Sequence, residues 1–493
     1  MRYFELLRFA APETIIVVAA LAVLTLGLVS TRARLLCPIA AAVGILVAIV
    51  AIVKLPPQAN LFGGMLVISP LNSLFKIICL VLVLATLPLA SSEKSLRNPG
   101  EYIALLLLGS LGLMLLVGSE ELLVIFIGLE LLGLSLYVMA AFDKIDIRSA
   151  EAGLKYFLFG STASAFTLFG ISLVYGMTGT TALAAIAQKI VAVPVPPLLA
   201  VGIVMTLIGF AFKIAAAPFH LWAPDAYQGA PIPSAAFIAS GSKVASFVVL
   251  GKILLVGFAN ARGSADWHAM IAGWSPVLAA LAGLSILLGN FVALAQTNVR
   301  RLLAYSAVAH GGYTLLGIIA GGRDGFSATL FYTSIYAITL VGAFAAVGIV
   351  RRETGGEDLQ NFAGTAKRSP LLAATMSIFL LSLAGLPPLA GFFGKFYLFS
   401  ATFRAGANHG LLWLVALALF GSFVSLYYYL IPLKMMFVDE SSFSTSRQRQ
   451  SGSDPTDSTS AWSHVTIAVL AAAVLFLGLM PHTLADRIIS SLP

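Results

Sequence analysis

One stretch of the 493-residue sequence, from residue 201 to residue 233, combines residues that could carry protons with residues that interrupt a helix. An apolar run holds Lys213 near its middle, Pro218 follows it, and His220 lies just beyond the proline. A charged ammonium inside a lipid-spanning helix costs roughly 3 kcal/mol on insertion scales. Proline removes a backbone hydrogen bond that only protein or internal water can replace at that depth. Both costs in one segment predict a helix broken beside an ion path.

Further ionisable residues lie inside other apolar segments. Glu130 lies well inside one segment, Lys243 lies midway along the segment after the break, and Lys395 follows Pro387–Pro388. Lysine suits a proton site because its protonation responds to burial and to a neighbouring carboxylate. The histidine after the break could relay a proton between the two nearest lysines, because imidazole both accepts and donates. Ionisable chains inside a membrane mark proton or ion pathways, and the sequence predicts one from Glu130, Lys213, His220, Lys243 and Lys395.

Each of these residues also has a structural interpretation, since a neighbouring helix could satisfy a carboxylate and a lone histidine is often only packed. The secondary candidates are equally open. Glu151 and Lys155 form an i,i+4 pair that either leads inward from the surface or is an interfacial salt bridge. Lys252 either joins the path or extends outward to the interface. His310 is either a relay or a packed side chain.

Two other charged residues have simpler expected roles. Asp225 follows Pro224 directly after the break, so we expect it to be a helix N-cap. We expect Lys76 to lie at the periphery of its apolar segment.

The composition indicates a polytopic helical membrane protein, with 59% hydrophobic residues, 10% charged residues and a mean hydropathy of +0.97. The net charge of +8 follows from the distribution of cations among loops, and no nucleic-acid partner is predicted. The sequence contains no GxGxxG or Walker-type loop. Its two cysteines form neither a CxxC motif nor a Cys/His cluster, so no metal or iron–sulfur site is predicted.

Apolar stretches of about 17–25 residues predict fourteen membrane spans. The predicted spans lie at about 11–30, 36–54, 71–90, 101–118, 121–142, 154–177, 197–222, 232–257, 274–295, 301–320, 326–349, 370–402, 411–437 and 463–481. With residues within three positions of the span ends included, the loops after odd-numbered spans hold 16 Lys and Arg residues, against 8 on the other side. This bias places the odd-numbered loops in the cytoplasm and both termini on the periplasmic side.

Two predicted spans are interrupted, one by Pro218 and one by Pro387–Pro388. Interrupted helices at corresponding positions of two halves indicate an inverted-repeat architecture. Because the interrupted spans are five apart, spans 4–8 and spans 9–13 would form two inverted five-helix repeats. The single membrane domain, 1–493, then divides into flanking spans 1–100, a first repeat 101–257, a second repeat 274–437, a polar cytoplasmic loop 438–462 and a last span 463–493.

The chain resembles the antiporter-like subunits of respiratory complex I and their relatives in multisubunit Na⁺/H⁺ antiporters. The resemblance rests on KIAAAPFHLWAPDAYQGAPIPSAAF, followed by Lys243, and on QTNVRRLLAYSAVAHGGY at 296–313. Within that family, AYSAVAHGGY and GLPPLAGFFGKFYLF are most similar to the subunit N branch of NADH:quinone oxidoreductase. The resemblance extends over nearly the whole chain.

The resemblance implies a proton-translocating subunit of the membrane arm, driven by NADH oxidation and quinone reduction elsewhere in the complex. It implies that this chain binds no cofactor, and that NADH, FMN, iron–sulfur clusters and quinone belong to other subunits. The implied partners are sibling antiporter-like and other membrane-arm subunits within a bacterial inner membrane. By motif match, Glu130 and Lys213 would form a coupling pair, His220 and Lys243 a central axis, and Lys395 the terminal lysine. The alternative is a subunit of a multisubunit cation/proton antiporter.

Overall fold

The structure is a computed structural model that describes residues 8–190, 195–406, 409–440 and 458–492. Twelve helices in these ranges are long and apolar enough to cross a membrane. Two shorter apolar helices, Pro197–Lys213 and Pro370–Ala384, lie where the interrupted spans are predicted. Most of the polar loop predicted at 438–462 lies outside the described residues.

The first part of the chain is helical except for one small hairpin. Its helices are α1 Ala11–Val29, α2 Ala33–Val53, α3 Pro70–Ser92, α4 Pro99–Gly118, α5 Leu122–Ala140, α6 Ile147–Thr178, α7 Leu183–Lys189 and α8 Pro197–Lys213. Between α2 and α3, strands β1 (Ala59–Leu61) and β2 (Leu66–Ile68) pair antiparallel, although the sequence predicts helices only. The turn of this hairpin includes Gly63 at φ +67°, a conformation that glycine adopts without strain.

The second part of the chain begins after the first break. Its helices are α9 Trp222–Gly229, α10 Ile232–Ala239, α11 Gly241–Lys252, α12 Trp274–Leu294, α13 Val299–Ala320, α14 Gly322–Thr354, α15 Thr365–Arg368, α16 Pro370–Ala384, α17 Ala390–Arg404, α18 Leu412–Phe437, α19 Ser458–Leu479 and α20 His482–Ser491. A π-helical turn, Ile253–Gly257, follows α11 directly.

The two predicted breaks coincide with helix ends. α8 ends at Lys213, and residues 214–221 form turns before α9. α16 ends at Ala384, and Gly385 takes a left-handed conformation at φ +87° before α17. Each break contains one cis peptide bond to proline, Ala217–Pro218 and Pro387–Pro388.

A third break lies at Ser240, where the sequence predicts one continuous span over 232–257. The backbone of Ser240 leaves the helical region at φ −112°, ψ −87° and separates α10 from α11. Its hydroxyl donates to the Ala236 carbonyl at 2.6 Å, which competes with the helical backbone bond. The backbone N–H of Ser240 bonds instead to the Phe237 carbonyl at 3.4 Å. The break places Lys243 in the first turn of a new helix.

The helices differ sharply in burial, which separates a core from a lipid-facing rim. We compared the share of buried residues in the most apolar 18-residue stretch of each span. This share is 94% in Ile232–Gly257, Val299–Ala320 and Gly322–Thr354, and 33% in Ala11–Val29. The predicted proton-carrying residues concentrate on or beside these central helices. Glu130 is half-buried, whereas the others are buried: Lys213, His220, Lys243 and Lys395.

Two helix pairs, one in each half of the chain, are in backbone contact through glycine. A Cβ added to Gly112 of α4 would lie 2.7 Å from the backbone nitrogen of Leu132 on α5. A Cβ added to Gly289 of α12 would lie 2.5 Å from that of Ala309 on α13. Small residues at such crossings allow close helix packing in membranes, where burial against lipid gives little driving force.

Candidate functional site

Glu130 of α5 and Lys213 at the end of α8 line the same small cavity. The cavity has a volume of about 20 Å³ and is also lined by Ser164 and Thr167 of α6. This is room for about one water molecule. Glu130 accepts a short hydrogen bond from the Ser164 hydroxyl. No ion pair joins Glu130 to Lys213 in the described part of the chain.

Aromatic side chains form the wall beside Lys213. Its Nζ lies 5.8 Å from the ring centroid of Tyr137 and 5.7 Å from that of Tyr156. Trp222, the first residue of α9, stacks on Tyr156 at 4.1 Å and donates its indole N–H to the Phe212 carbonyl. The segment after the break therefore folds back over the end of α8. The Lys213 ammonium lies against aromatic rings, whose faces attract cations.

His220 lies within the first break and is buried. Its Nδ1 is buried and has no hydrogen-bond partner among the described residues. A buried polar atom without a partner is costly, and a water molecule would satisfy it. The relay from Lys213 through His220 to Lys243 stays a prediction.

Lys243 is buried in the middle of the bundle. Its Nζ donates to the Ala307 carbonyl of α13 at 2.7 Å. The same nitrogen lies 5.5 Å from the ring centroid of Tyr336 on α14. The ammonium thus has one neutral acceptor and one aromatic face, and no carboxylate forms an ion pair with it among the described residues.

Lys395 of α17 is held by the second break. Its Nζ donates to the carbonyl of Ala384, the last residue of α16, at 2.8 Å, and to Ser422 of α18 at 2.9 Å. The last four carbonyls of a helix lack partners within it and carry partial negative charge. The break therefore leaves the C-terminal end of α16 facing the buried ammonium of Lys395.

His310 lies between these two lysines in a group of tyrosines that we name the tyrosine cage. The cage consists of Tyr313, Tyr332, Tyr336 and Tyr429. The two imidazole nitrogens of His310 each face a hydroxyl: Nδ1 lies 2.6 Å from Tyr332 and Nε2 lies 3.0 Å from Tyr429. Both ring nitrogens are thus in hydrogen bonds, as a proton relay requires.

The cage contacts both lysines. Tyr336, which lies beneath Lys243, stacks on His310 with ring centroids 4.9 Å apart. Tyr313 lies 5.6 Å from His310 by the same measure, and its ring centroid is 5.4 Å from the Nζ of Lys395. The structure thus places His310, a secondary candidate in the sequence, midway between two primary ones. The sequence signal for the cage was Tyr332 and Tyr336 at i,i+4 on one helix face.

A network of ion pairs lies at the end of α6 where the predicted Glu151–Lys155 pair forms. Lys155 Nζ is 2.6 Å from Glu151 and 2.7 Å from Asp225, which also lies 2.8 Å from Arg301. The expectation that Asp225 is an N-cap is wrong, because it lies inside the first turn of α9 and pairs with two cations. Burial opposes its ionisation, but the bonds from Lys155 and Arg301 outweigh burial and hold the pKa of Asp225 below its usual value.

Replacing Asp225 by asparagine should lower thermal stability at neutral pH, because both cations lose a carboxylate partner. The lowered pKa of folded Asp225 means that this stabilisation is complete above the usual aspartate pKa of about 4 and is lost as the pH falls through the folded value. We expect a difference of about 1 kcal/mol or less, since the pairs are partly exposed. Unfolding of wild type and variant in detergent, near pH 7 and below about pH 3, measures it. A difference that persists in acid would contradict this account.

Two further lysines are buried, and one of them, Lys76, was expected at the periphery. Lys252 does not extend outward: it is buried and donates to Asn72 and to the Val117 carbonyl. Lys76 is not peripheral, because it is buried and pairs with Glu13 at 2.6 Å. Each ammonium is held inside by an acceptor on a helix distant in the sequence.

Both cysteines, Cys37 and Cys79, are buried and free. No group of three or more His, Cys, Asp or Glu side chains within the described ranges is arranged to hold a metal ion.

A family model described as "NADH:quinone oxidoreductase/Mrp antiporter, TM" matches residues 119–425. The chain belongs to this family. The matched region includes every residue of the series from Glu130 to Lys395. NADH-quinone oxidoreductase subunit N 2 of Acidobacterium capsulatum is 46% identical, over 98% of this chain and 98% of that one.

Two solved structures share the fold of this chain. A chain of respiratory complex I from Thermus thermophilus, with bound aureothin, is 31% identical, with a TM-score of 0.76 over 96% of this chain and 98% of that one. A chain of the Mrp complex from Dietzia sp. DQ12-45-1b shares the fold with a TM-score of 0.83, at 22% identity over 98% of this chain and 97% of that one. The family member described here thus shares its fold with chains of both kinds of complex.

Proposed function

We propose that this chain is a membrane-arm subunit of an NADH:quinone oxidoreductase and moves protons along its buried series of ionisable residues. One observation supports this most directly: the tyrosine cage lies between two buried lysines, neither of which forms an ion pair with a carboxylate among the described residues. Such charges inside a membrane bundle are costly and mark ion paths. The relatives named as subunit N supply the redox context.

In the first half, Glu130 and Lys213 act as a switch. A charge change in a neighbouring subunit draws the Glu130 carboxylate toward or away from Lys213 within their shared cavity. Because the cavity holds about one water, the interaction between the two charges changes steeply with that movement. The proton that Lys213 releases passes through His220 and water to Lys243.

In the second half, the tyrosine cage carries the proton onward. A neutral imidazole accepts a proton at one nitrogen and releases another from its second nitrogen, so His310 conducts without leaving its hydrogen bonds to Tyr332 and Tyr429. Lys395 receives the proton beside the free end of α16. Arrival of that charge repels or releases a proton toward the outer face.

The architecture proposed with this function is fourteen membrane spans with two inverted five-helix repeats. Support comes from the two short broken helices, α8 and α16, one in each half. The cation bias of the loops places both termini on the periplasmic side of a bacterial inner membrane. Sibling antiporter-like subunits are the proposed neighbours. NADH, FMN, iron–sulfur clusters and quinone are assigned to other subunits.

Replacing Lys213 by alanine in its native membrane tests the proposal. We expect NADH-driven quinone reduction and proton pumping to fall together, about tenfold or more, in complex that still assembles. Unchanged redox activity with loss of cation-dependent proton exchange would identify a cation/proton antiporter instead. Unchanged activity in both Lys213→Ala and Glu130→Ala would rule out the switch.

A further inference from the structure

A second cluster of buried charges lies where α4 ends and α5 begins. Lys252, the last residue of α11, donates from Nζ to Asn72 Oδ1 and to the Val117 carbonyl, and its side chain is 4% exposed. The carboxylate of Glu120 lies 3.7 Å from the same nitrogen, and that side chain is 35% exposed. A buried ammonium thus faces a carboxylate that reaches water.

A neighbouring pair in the cluster is held much more tightly. Lys76 Nζ lies 2.6 Å from Glu13, and both side chains are buried. The second carboxylate oxygen of Glu13 is buried without a partner among the described residues. A Cβ on Gly118 would lie 2.7 Å from Lys76 Nζ, so this ammonium lies against the same end of α4 that binds Lys252. Lys76 and Glu13 therefore form a fixed pair beside a looser one.

The surroundings of Glu120 fix its backbone, while its side chain is partly exposed. Its N–H donates to the Gly64 carbonyl at 2.8 Å, and its carbonyl accepts from Leu183 at 2.9 Å. The hairpin between α2 and α3 and the start of α7 therefore hold the loop from both sides. Asn72 donates to the Val67 carbonyl at 2.8 Å, which keeps its oxygen directed at Lys252.

The helix that carries Lys252 changes geometry at this point. α11 continues directly into the π-helical turn Ile253–Gly257. Such turns are rare and occur frequently at functional sites. Lys252 shares α11 with Lys243, so one helix connects the centre of the bundle to this cluster.

We propose that Glu120 and Lys252 form a site where the bundle exchanges protons with the aqueous phase at this end. The inference rests on the proposed function. The N–H bond of the Lys252 ammonium breaks and its proton joins a Glu120 carboxylate oxygen, leaving an amine and a carboxylic acid. Since 3.7 Å exceeds hydrogen-bond length, one water bridges the transfer or the carboxylate turns inward. The carboxylic acid then gives the proton to bulk water, and the interior reprotonates the amine.

This end of the bundle lies opposite the Asp225 network. α5 runs from the Glu120 loop to Ala140, and α6 starts after it and carries Lys155. The two clusters of ionisable groups therefore face different aqueous compartments. One can take up protons while the other releases them.

Proton pumping by the complete complex in membrane vesicles, with Glu120→Gln and Lys252→Arg, tests the site. Arginine keeps the charge and the hydrogen-bond donors but does not deprotonate in proteins. The variant therefore distinguishes a role of Lys252 in proton exchange from a purely structural role. We expect each variant to lower NADH-driven pumping roughly tenfold, within the range that a positioned proton donor contributes. Full pumping in Lys252→Arg overturns the proposal. If that variant fails to assemble, Glu120→Gln decides alone.

Glu121→Gln is the matched control, one residue away. Its carboxylate caps α5, one oxygen accepting from the backbone N–H of Leu123 and the other from that of Val124, and glutamine keeps one of these two acceptors. Pumping should therefore stay at the wild-type rate. If pumping is impaired in Lys213→Ala and normal in Glu120→Gln, the proton-exchange site proposed here is excluded and the proposed function stands. Normal pumping in Lys213→Ala overturns the proposed function whatever the Glu120 variant does.

Discussion

Replacing Lys243 by methionine should abolish NADH-driven proton pumping and leave the bundle folded. Lys243 is buried, and methionine has a similar length and an adaptable shape, so the change leaves little cavity. Replacing a buried charge by an apolar group of similar volume is often neutral for stability. The path, in contrast, loses its central proton carrier. We expect pumping to fall about a hundredfold or more.

Quenching of a pH-sensitive dye in vesicles measures this pumping, and the amount of assembled complex in the same membranes reports folding. Lys144→Met is the control, because Lys144 is exposed and lies in the loop before α6. It should pump at the wild-type rate. Normal pumping by Lys243→Met would exclude Lys243 as a carrier.

Replacing Arg300 by methionine should have the largest effect on stability. The guanidinium is 1% exposed and donates to the carbonyls of Tyr227 and Ala230, which lie at the end of α9 and lack other helical partners. Its third contact is the Glu357 carboxylate at 3.3 Å. Methionine would leave two carbonyls and one charge without this partner. Breaking such a buried pair costs about 3–5 kcal/mol.

Thermal unfolding of the purified protein in detergent measures this loss, and Arg301→Met provides a comparison on the adjacent residue. Arg301 is 30% exposed and pairs with the partly exposed Asp225. Its replacement should cost about 1 kcal/mol or less. Equal destabilisation by the two variants would show that Arg300 does not hold α9 as described.

Twelve of the predicted spans coincide with long apolar helices, because long apolar runs admit few alternatives in a membrane. The two proline breaks were equally predictable, since proline removes a donor wherever it stands. Both features depend on local sequence. Burial of Lys213, Lys243 and Lys395 followed from their central positions in such runs.

The remaining features depend on contacts between distant parts of the chain. The break at Ser240 accompanies a bond from its hydroxyl to the Ala236 carbonyl, but the same type of bond occurs in unbroken helices, for example from Ser246 and Ser334. Lys252 is buried because Asn72, 180 residues away, accepts its hydrogen bond. The tyrosine cage gathers residues of three helices around His310. No periodicity in one segment reveals such an arrangement.

The glycine contacts between α4 and α5 and between α12 and α13 affect which motions can set the rate of proton transfer. Helices in backbone contact cannot slide past each other without opening gaps between their surfaces. We therefore expect each pair to move as a rigid unit. Large rocking motions of helices take microseconds to milliseconds, whereas rotamer changes of exposed side chains take picoseconds to nanoseconds. In the switch proposed above, Glu130 turns and a few waters reorder while these helix pairs stay in place. The rate of switching would then depend on how often a charge change arrives from a neighbouring subunit, and not on how fast the helices move.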